Sequence, residues 1–485
     1  MKGRLATLAA VALLLSACVA GPEYRRPVVD LPVAWKIEAP WQEGRPDDAA
    51  PKGRWWERYA DPQLDALQQQ ALDASPTLAV AAGRLAQSRA VVAATSAALL
   101  PQVNLSTRAA RQRISANRPQ TNYASPNFST VQNDFTAAAG VSYEVDLAGR
   151  VQRTIEGVRA SAEQSAADFE NTRLVLTTDL ATSYFNLRAV DIELDVLARS
   201  IALQRRALQL VTARHDLGAV SGLEVAQQQA LLDTTLAQVD PLRRQRGIFE
   251  HAIATLTGTA APVFALPTDL REATPPAVPL GVPSDVLQRR PDVASAERAM
   301  AVANAQIGVA TAAFYPSINL APSIGTESNM LSKLFDAPSL LWSVGVSLTQ
   351  PLFDAGRLRA NVDFAKAGYD VTVANYRRVV LTAMQEVEDG ITGVAALERA
   401  SNQARTAVAS SRRVLDMATA RYEGGASGYL DVITAQQSLL ASDRLAAQLR
   451  GQRLLTSVFL VKALGGDWQR PSTLAAGETV LPAAR

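Results

Sequence analysis

The sequence predicts a mainly α-helical protein with membrane-crossing β strands, built as an internal tandem repeat. Three observations predict this class. Matching segments occur in the same order in the two halves of the 485 residues. Each half contains runs in which apolar and polar residues alternate, as in half-exposed strands. Each half also contains one apolar stripe of helical period that is far longer than a globular helix.

The repeat is defined by pairs of matching segments. QSRAVVAATSAALLPQVNL, ending at Leu105, matches ANAQIGVATAAFYPSINL, ending at Leu320. VSYEVDLAGRVQ (141–152) matches VSLTQPLFDAGRLRA (346–360), and SGLEVAQQQALL (221–232) matches SGYLDVITAQQSLL (427–440). ATLTG (254–258) matches KALGG (462–466). Each copy therefore predicts the same order of elements: short helix, two strands, long helix, reversal and return helix.

The long helices are predicted over 150–216 and 357–423. Their apolar residues recur every three or four positions throughout, which indicates coiled-coil packing. Each reaches roughly 100 Å at about 1.5 Å per residue. The return helices, 221–257 and 427–464, are shorter by the length of the preceding short helices, 76–100 and 292–315. One long helix therefore matches two shorter ones placed end to end, as in a tall helical cylinder.

One reversal joins each long helix to its return helix, so the chain has two reversals. Gly218 and the pair Gly424-Gly425 are placed to end the long helices in the left-handed conformation. Ser221 and Ser427 are then expected to cap the return helices.

Four strands are predicted per chain, over 102–115, 135–147, 317–327 and 340–350. Runs of this length suffice for a tilted crossing of a bilayer. Four strands cannot close a barrel, and open sheet edges are not tolerated in lipid. The chain is therefore expected to share a barrel with copies of itself.

QPLFDAGR (350–357) marks the junction where a strand ends and a long helix begins. Pro351 ends ladder pairing, Phe353 suits a membrane interface, and Asp354 is a candidate N-cap. Gly356 belongs to the same junction, and Gly149 takes the corresponding place in the first copy.

The N-terminal residues predict export and anchoring. Residues 1–17 have two cations followed by an apolar core, which is typical of a signal peptide. Leu15-Ser16-Ala17-Cys18 resembles the lipobox of bacterial lipoproteins, in which the cysteine carries a covalent lipid. Cys18 is the only cysteine, so an internal disulfide is excluded. By the same resemblance Val19, rather than Asp, favours the outer membrane. The alternative is an ordinary signal peptide with an incidental cysteine.

Several other function classes lack support in the sequence. The net charge is +2 with no basic run, so no nucleic-acid partner is expected. His215 and His251 lack a second ligand at metal spacing, and no nucleophile elbow, phosphate loop or metal motif occurs. We therefore expect no enzyme, no metal and no cofactor other than the lipid on Cys18. Trp55, Trp56 and Tyr59 are expected to have a packing role, with a ligand site as the alternative.

In these features the chain resembles the TolC-type outer-membrane efflux proteins, in their lipidated NodT/OprM-like branch that serves resistance-nodulation-division pumps. The resemblance covers nearly all of the mature chain. Its order and spacing are specific, and it is carried by LSAC (15–18), GPEYRRP (21–27), WWERYADPQLDAL (55–67), QRRPDVASAERAMAVANAQIGVATAAFYPSINL (288–320), QPLFDAGR (350–357), RYEGGASGYLDVITAQQSLL (421–440) and KALGG (462–466).

The resemblance implies a homotrimer in which a twelve-stranded β-barrel continues into a twelve-helix α-barrel, with a mixed equatorial domain. The implied division of the chain is 1–17 signal peptide, 18–60 lipid-anchored segment and equatorial belt, 61–258 first repeat, 259–284 linker in the belt, 285–465 second repeat, and 466–485 C-terminal tail in the belt.

The resemblance also places a periplasmic gate at the two reversals, which we call the tip. Tyr422, Leu430 and Asp431 fall where relatives have the constriction, and Glu224 falls at the acidic position that a tip tyrosine bonds. Three copies of Asp431 around an axis would favour cations, although Asp431 also suits the helix dipole. Glu224 equally completes a capping box with Ser221. Thr434 stands where many relatives have a second carboxylate, and Ser427 where some have arginine.

The function that follows is a passive exit duct of a tripartite efflux system. Its implied partners are outer-membrane lipid, a periplasmic adaptor (membrane fusion) protein and an inner-membrane resistance-nodulation-division pump, with drugs or other small toxic compounds as cargo. One alternative is the duct of a type I protein-secretion or metal-efflux system. Another is a lipid-anchored periplasmic coiled coil without a pore.

Overall fold

The computed structural model describes residues 19–25, 53–117, 130–276 and 289–466. The predicted signal peptide, Cys18 and the C-terminal tail after Gly466 lie outside the described residues. The chain separates into two compact units that interleave along the sequence. Of the described residues, unit 1 comprises 19–25, 85–117, 130–165 and 296–376, and unit 2 comprises 53–84, 166–276, 289–295 and 377–466. The boundaries implied by the resemblance remain a prediction.

Eight α helices lie in the described ranges. Both long helices have the predicted bounds and are 67 residues long, which confirms the prediction made from their apolar stripes. In chain order the helices are α1 (Pro62–Ala74), α2 (Pro76–Ser96), α3 (Arg150–Asp216), α4 (Gly222–Leu236), α5 (Val239–Leu256), α6 (Pro291–Ala312), α7 (Arg357–Glu423) and α8 (Tyr429–Ala463). Among the described residues, no helix carries an apolar stretch long enough to cross a lipid bilayer.

The prediction of a single return helix over 221–257 is wrong, because the chain leaves the helix at Ala237 and Gln238 and starts α5 at Val239. Pro241 explains the interruption. Proline has no amide hydrogen to donate to the carbonyl of residue 237, and its ring clashes with that carbonyl. The second return helix contains no proline and is continuous.

The Ser427 cap is also wrong, since α8 begins at Tyr429 and Gly428 is its N-cap residue. Ser221 does occupy the N-cap position of α4, but its side chain makes no capping hydrogen bond. Helix α1 was not predicted, although Asp61 is a clear signal for it. Its carboxylate accepts hydrogen bonds from the amides of Gln63 and Leu64 at 3.0 and 3.3 Å, and Pro62 occupies the first turn.

Unit 1 contains one antiparallel sheet of four successive runs. The first two runs are β1 (Gln102–Ile114) and β2 (Thr130–Val145). The predicted runs 317–327 and 340–350 are each interrupted, giving β3 (Ser317–Leu320) with β4 (Ser323–Ser328), and β5 (Leu340–Ser343) with β6 (Val346–Thr349). Pro322 and Gly345 lie at the two interruptions, where neither residue suits a regular ladder.

Within this sheet each run pairs with the next one along the chain. β1 pairs with β2, and β2 pairs with both β3 and β4. β3 then pairs with β6, and β4 pairs with β5. Among the described strands, β1 and the run of β5 and β6 therefore form the two edges. Both edges present backbone groups that have no partner strand within this sheet.

Unit 2 has its largest core where α1, α3, α5, α7 and α8 supply apolar side chains. Trp55, Trp56 and Tyr59 are buried in this core, as predicted, and Tyr59 shares a 2.6 Å hydrogen bond with Ser457. A buried carboxylate, Asp191, accepts hydrogen bonds from Arg188 and Arg246 at 2.9 and 2.7 Å. Arg246 also donates to the carbonyl of Leu266, so these groups fix the linker after α5 to the helices.

Candidate functional site: a two-faced sheet and the helix reversals

The sheet of unit 1 has one apolar and one polar face. Side chains alternate between faces along a strand, and directly paired residues share a face. The register therefore assigns every residue to a side. One face carries mostly apolar side chains: Val103, Leu105, Thr107, Ala109, Phe135, Ala137, Ala139, Val141, Tyr143, Val145, Ile318, Leu320, Ile324, Thr326, Ser328, Leu340, Trp342, Val346 and Leu348. The other carries mostly polar or small residues: Gln102, Asn104, Ser106, Arg108, Ala110, Asp134, Thr136, Ala138, Gly140, Ser142, Glu144, Ser317, Asn319, Ser323, Gly325, Glu327, Leu341, Ser343, Ser347 and Thr349.

The apolar face is exposed, and its extent across the sheet matches the thickness of the apolar layer of a membrane. Leu105 and Trp342 are 77% and 70% exposed. On β2 the apolar positions run from Val145 to Phe135, about 34 Å at roughly 3.4 Å per residue. At a tilt of about 45° this gives about 24 Å, close to the roughly 25 Å apolar band of membrane barrels. The next pair on this face, Arg111 with Asn133, is polar. This face is therefore suited to lipid, and the opposite face to water.

At the junction between sheet and helix, the carboxylate of Asp354 accepts hydrogen bonds from the amides of Gly356 and Leu358, at 3.0 and 2.9 Å. The Asp354 side chain therefore caps the first turn of α7, but from two residues before the N-cap position, which Gly356 occupies because the helix begins at Arg357. In the first copy of the repeat, the carboxylate of Asp146 caps α3 in the same way, by accepting a hydrogen bond from the amide of Gln152 at 2.8 Å. Phe353 is 90% exposed, as an interface residue requires. Pro351 lies just after β6, where pairing stops.

The segment that follows Cys18 is packed against the first junction. The amide of Ala20 donates to the carbonyl of Ala148 at 2.9 Å, and Arg153 donates to the carbonyls of Ala20 and Gly21. Gly149 has φ +74°, and a Cβ there would lie 2.8 Å from Val19 Cγ1. Glycine is thus required at this junction by both backbone and space. Residues 19–21 are held beside the end of the sheet.

The two reversals have the same backbone geometry. After α3, Ala219 donates to the carbonyl of Arg214 and Gly218 to that of His215. After α7, Ala426 donates to the carbonyl of Arg421 and Gly425 to that of Tyr422. These paired bonds define the Schellman motif, and Gly218 and Gly425 both have φ +70°. The glycines therefore end both helices as the sequence predicted.

The reversals bring Tyr422 and Glu224 together. The Tyr422 hydroxyl donates a hydrogen bond to Glu224 Oε2 at 2.7 Å. The Arg214 guanidinium lies 5.3 Å from the centre of the Tyr422 ring, and the ring of Tyr429 lies 4.9 Å away on α8. Burial and the bond to Glu224 raise the pKa of Tyr422, and Arg214 opposes the shift. Glu224 therefore bonds the tyrosine, whereas the Ser221 half of the expected capping box is not formed.

The other predicted tip residues lie on the first turns of α8. Leu430, Asp431 and Thr434 are exposed, and their spacing puts them on one side of the helix. The Thr434 hydroxyl donates to the carbonyl of Leu430, so it is engaged within its own helix. Ser427 Oγ is buried and has no hydrogen-bond partner. The structure thus joins Tyr422 to Glu224 and leaves Asp431 facing solvent.

The family model for the outer membrane efflux protein matches residues 67–259 and 282–466, one segment for each copy of the repeat. The chain belongs to the outer membrane efflux protein family. It is an outer-membrane efflux channel, with a long periplasmic portion, and the resemblance found in the sequence is confirmed.

Curated relatives of this efflux channel match over nearly its full length. The chain is 32% identical to the pyoverdine export outer membrane protein OpmQ of Pseudomonas aeruginosa, over 96% of this chain and 97% of the relative. It is 31% identical to the toluene efflux pump outer membrane protein TtgF of Pseudomonas putida, with the same coverage of both. The solved outer-membrane channel OprN is similar with a TM-score of 0.84 and 28% identity, covering 93% of this chain and all of that one.

Four residues of the efflux channel's tip were missed by sequence reasoning. Arg214 and Tyr429 flank the Tyr422 ring, and Gln228 and Gln436 lie buried behind it. The repeat held a signal for the glutamines, because QQALL and QQSLL place Gln228 and Gln436 at equivalent positions. In the described ranges no group of three potential metal ligands is placed to hold an ion.

Proposed function

We propose that three copies of this channel pool their sheets into a twelve-stranded barrel and their helices into a twelve-helix tunnel. The observation that carries the proposal is the sheet of unit 1, which has an exposed apolar face, a polar face and two open edges. In lipid such edges must pair, and pairing β1 of one copy with the β5 and β6 run of the next closes the ring. The polar face then lines a water-filled duct.

We infer that the tip acts as the gate of this duct and that the Tyr422 to Glu224 bond keeps it closed at rest. The Tyr422 to Glu224 bond joins the hairpin of α3 and α4 to that of α7 and α8, so both must stay together while it holds. Separating the hairpins around the axis would widen the tip. Three copies of Asp431 give the constriction a ring of negative charge that favours cations. Leu430, 60% exposed beside Asp431, adds an apolar constriction.

The chain is held in the outer membrane by a lipid on Cys18 as well as by the barrel. Val19 and Ala20 lie against Ala148 and Gly149, at the end of the membrane strands. A lipid on the preceding residue would enter the membrane at the depth where the sheet ends. No other cofactor is required, and the duct catalyses no reaction.

The partners proposed are a periplasmic adaptor, which opens the tip, and an inner-membrane resistance-nodulation-division pump, which selects small toxic compounds as cargo. A wide, water-filled duct makes few convergent contacts with cargo, so selection belongs to the pump. The alternative of a type I protein-secretion or metal-efflux duct keeps the same fold with another inner-membrane partner. Membership of the efflux family sets aside the poreless periplasmic strut.

A crosslinked pull-down of the full-length chain from envelope membranes, read by mass spectrometry, tests the partners. We expect an adaptor and a resistance-nodulation-division pump at comparable abundance. Capture of a type I secretion transporter instead would overturn the proposed partner, and absence of any inner-membrane protein would overturn the tripartite assembly. A strain expressing the chain with Cys18→Ala, which keeps the barrel and helices, provides the matched test of the lipid anchor.

A further inference from the structure

A layer of amide side chains lies buried behind the Tyr422 to Glu224 contact. It consists of Gln204 on α3, Gln228 on α4 and Gln436 on α8, and it is joined by Tyr429 on α8. Gln204 and Gln228 are fully buried, and Gln436 and Tyr429 are each 4% exposed. We call these four residues the glutamine layer.

Gln228 is the centre of the layer. Its Oε1 accepts a hydrogen bond from the Tyr429 hydroxyl at 2.8 Å. Its Nε2 donates to the main-chain carbonyl of Gln204 at 3.1 Å and to the side-chain Oε1 of Gln436 at 3.4 Å. One side chain on α4 is therefore bonded to α3 in its own hairpin and twice to α8 in the other.

The layer is continuous with the tip contact. Tyr429 packs its ring against the ring of Tyr422 at 4.9 Å between centres, so the partner of Gln228 also supports the tyrosine that bonds Glu224. Glu224 and Gln228 are four residues apart and lie on the same face of α4. Tyr422 and Tyr429, from the second hairpin (α7 and α8), therefore donate to Glu224 and Gln228 on one face of α4 in the first hairpin (α3 and α4).

The glutamine layer is surrounded by apolar side chains, so its polar residues need an explanation other than packing. Leu231, Leu415, Val432 and Leu439 belong to the same buried cluster as Tyr429. Leucine at position 228 would suit such a core without the cost of burying an amide. Gln204 Oε1 is itself buried without a partner, so this hydrogen bonding is incomplete. In helical assemblies, buried polar residues of this kind specify register at the expense of stability.

We propose that Gln228 and Tyr429 are positioning residues of the gate: the glutamine layer fixes the second hairpin in the register at which Tyr422 reaches Glu224. This inference rests on the proposed function of the tip as a gate. The layer limits sliding of α8 against α4, while the bond from Tyr422 on α7 to Glu224 on α4 limits separation of the two hairpins. A channel that loses the layer keeps its helices and core but holds its gate less firmly shut.

Single-channel recording of the purified full-length channel in planar bilayers tests the proposal, with Gln228→Leu as the main variant and Tyr429→Phe as a smaller change that removes one hydroxyl. Gln437→Leu, at the exposed position next to Gln436, is the matched control. We expect the ratio of open to closed time to rise about tenfold in Gln228→Leu, to rise in Tyr429→Phe, and to stay unchanged in the control. Thermal stability of Gln228→Leu should fall slightly, because the buried Tyr429 hydroxyl loses its acceptor.

A double variant separates positioning from mere packing. If Gln228 acts through Tyr422, then Gln228→Leu should add little in a Tyr422→Phe background, whereas independent effects would multiply. Full multiplication would overturn the positioning role. An unchanged open ratio in Gln228→Leu, with Tyr422→Phe still opening the channel, would overturn this inference and leave the gate standing. If Tyr422→Phe also has no effect, the gate itself is refuted, and this inference with it.

Discussion

The hydroxyl of Tyr422 donates a 2.7 Å hydrogen bond to the carboxylate of Glu224, which lies 198 residues earlier in the chain. The two residues belong to different copies of the internal repeat, and each lies within a few residues of its own reversal. Their contact therefore links the two hairpins where each long helix turns back. The proposed gate depends on this link more than on any other side-chain contact.

Removing either partner of this link should open the channel. Tyr422→Phe removes the hydrogen bond, and Glu224→Gln replaces its charged acceptor with a weaker neutral one. Each copy should lose about 0.5–1 kcal/mol at this half-exposed site, and three copies together shift the closed-to-open ratio about tenfold or more. Bilayer conductance of the purified protein measures the shift. Glu423→Gln makes the same charge change at the next, exposed residue and should leave conductance unaltered. Equal conductance in all three variants and the parent would rule out the link as a lock.

Alkaline pH should weaken the same link. Burial, and then the bond to Glu224, raise the pKa of Tyr422 above its ordinary value of 10.0. Only the neutral phenol donates, and its pKa is higher in the closed contact than when free. The contact is therefore complete below pH 10 and is lost as pH rises through the higher value. The open fraction should stay constant between about pH 7 and 9 and increase above about pH 10, while Tyr422→Phe shows no such step. A step near neutral pH would assign the gate to another group.

Ion selectivity should depend on Asp431. Asp431→Asn or Asp431→Ala removes one negative charge per copy from the narrowest part of the proposed duct, and the reversal potential in a salt gradient should fall by about half. Asp416→Asn, an exposed change of the same kind on α7, serves as the control. An unchanged reversal potential would mean that Asp431 only complements the dipole of its helix.

The two faces of the sheet should respond oppositely to the same substitution. Leu105 lies on the apolar face, near the middle of its height, and Asn104 lies on the polar face. Arginine at the lipid-facing midplane of a barrel costs about 2–4 kcal/mol, whereas a water-facing position accepts it. Leu105→Arg should therefore reduce the amount of assembled channel in outer-membrane fractions, and Asn104→Arg should not. Equal yields would contradict the assignment of the faces.

Arg290 should be essential for the stability of unit 2. Its guanidinium bonds both carboxylate oxygens of Asp292, at 3.0 and 2.7 Å, and Glu386 at 2.6 Å, and the residue is 7% exposed. Arg290→Met removes the shared cation from Asp292 and Glu386, whose side chains are 32% and 33% exposed. The loss should cost about 1.5–3 kcal/mol in the free energy of unfolding. The exposed pair of Arg243 with Asp240, also in unit 2, should contribute less than about 1 kcal/mol, so Arg243→Met is the control. Denaturant titration in detergent measures both.

Most of the architecture followed from sequence because periodicity records it directly. The bounds of α3 and α7 were predicted to the residue, since a stripe of this length ends only where Gly218 and Gly424-Gly425 break it. The break before α5 was missed because the pattern of apolar residues continues through it, while the steric effect of Pro241 acts four residues earlier.

The tip was predicted less completely, for a physical reason. Tyr422 and Glu224 were paired through resemblance, and the exposed or half-exposed positions of Leu430 and Asp431 agree with that interpretation. The serine caps failed because local capping rules carry no information about side chains arriving from the other hairpin. Tyr422 reaches Glu224 from α7, so the acid is engaged there. Gln228 and Gln436 resembled ordinary helix-surface glutamines, and only tertiary packing buries them.

The central claim is that copies of this chain close their sheets into one continuous, water-filled conduit. Cryo-electron microscopy of the full-length protein, purified from outer membranes, tests it most directly. The account predicts three-fold particles in which β1 of each copy pairs with the β5 and β6 run of its neighbour, with a lengthwise cavity narrowed at Tyr422 and Asp431. A folded single subunit, or an assembly without an axial cavity, would contradict it.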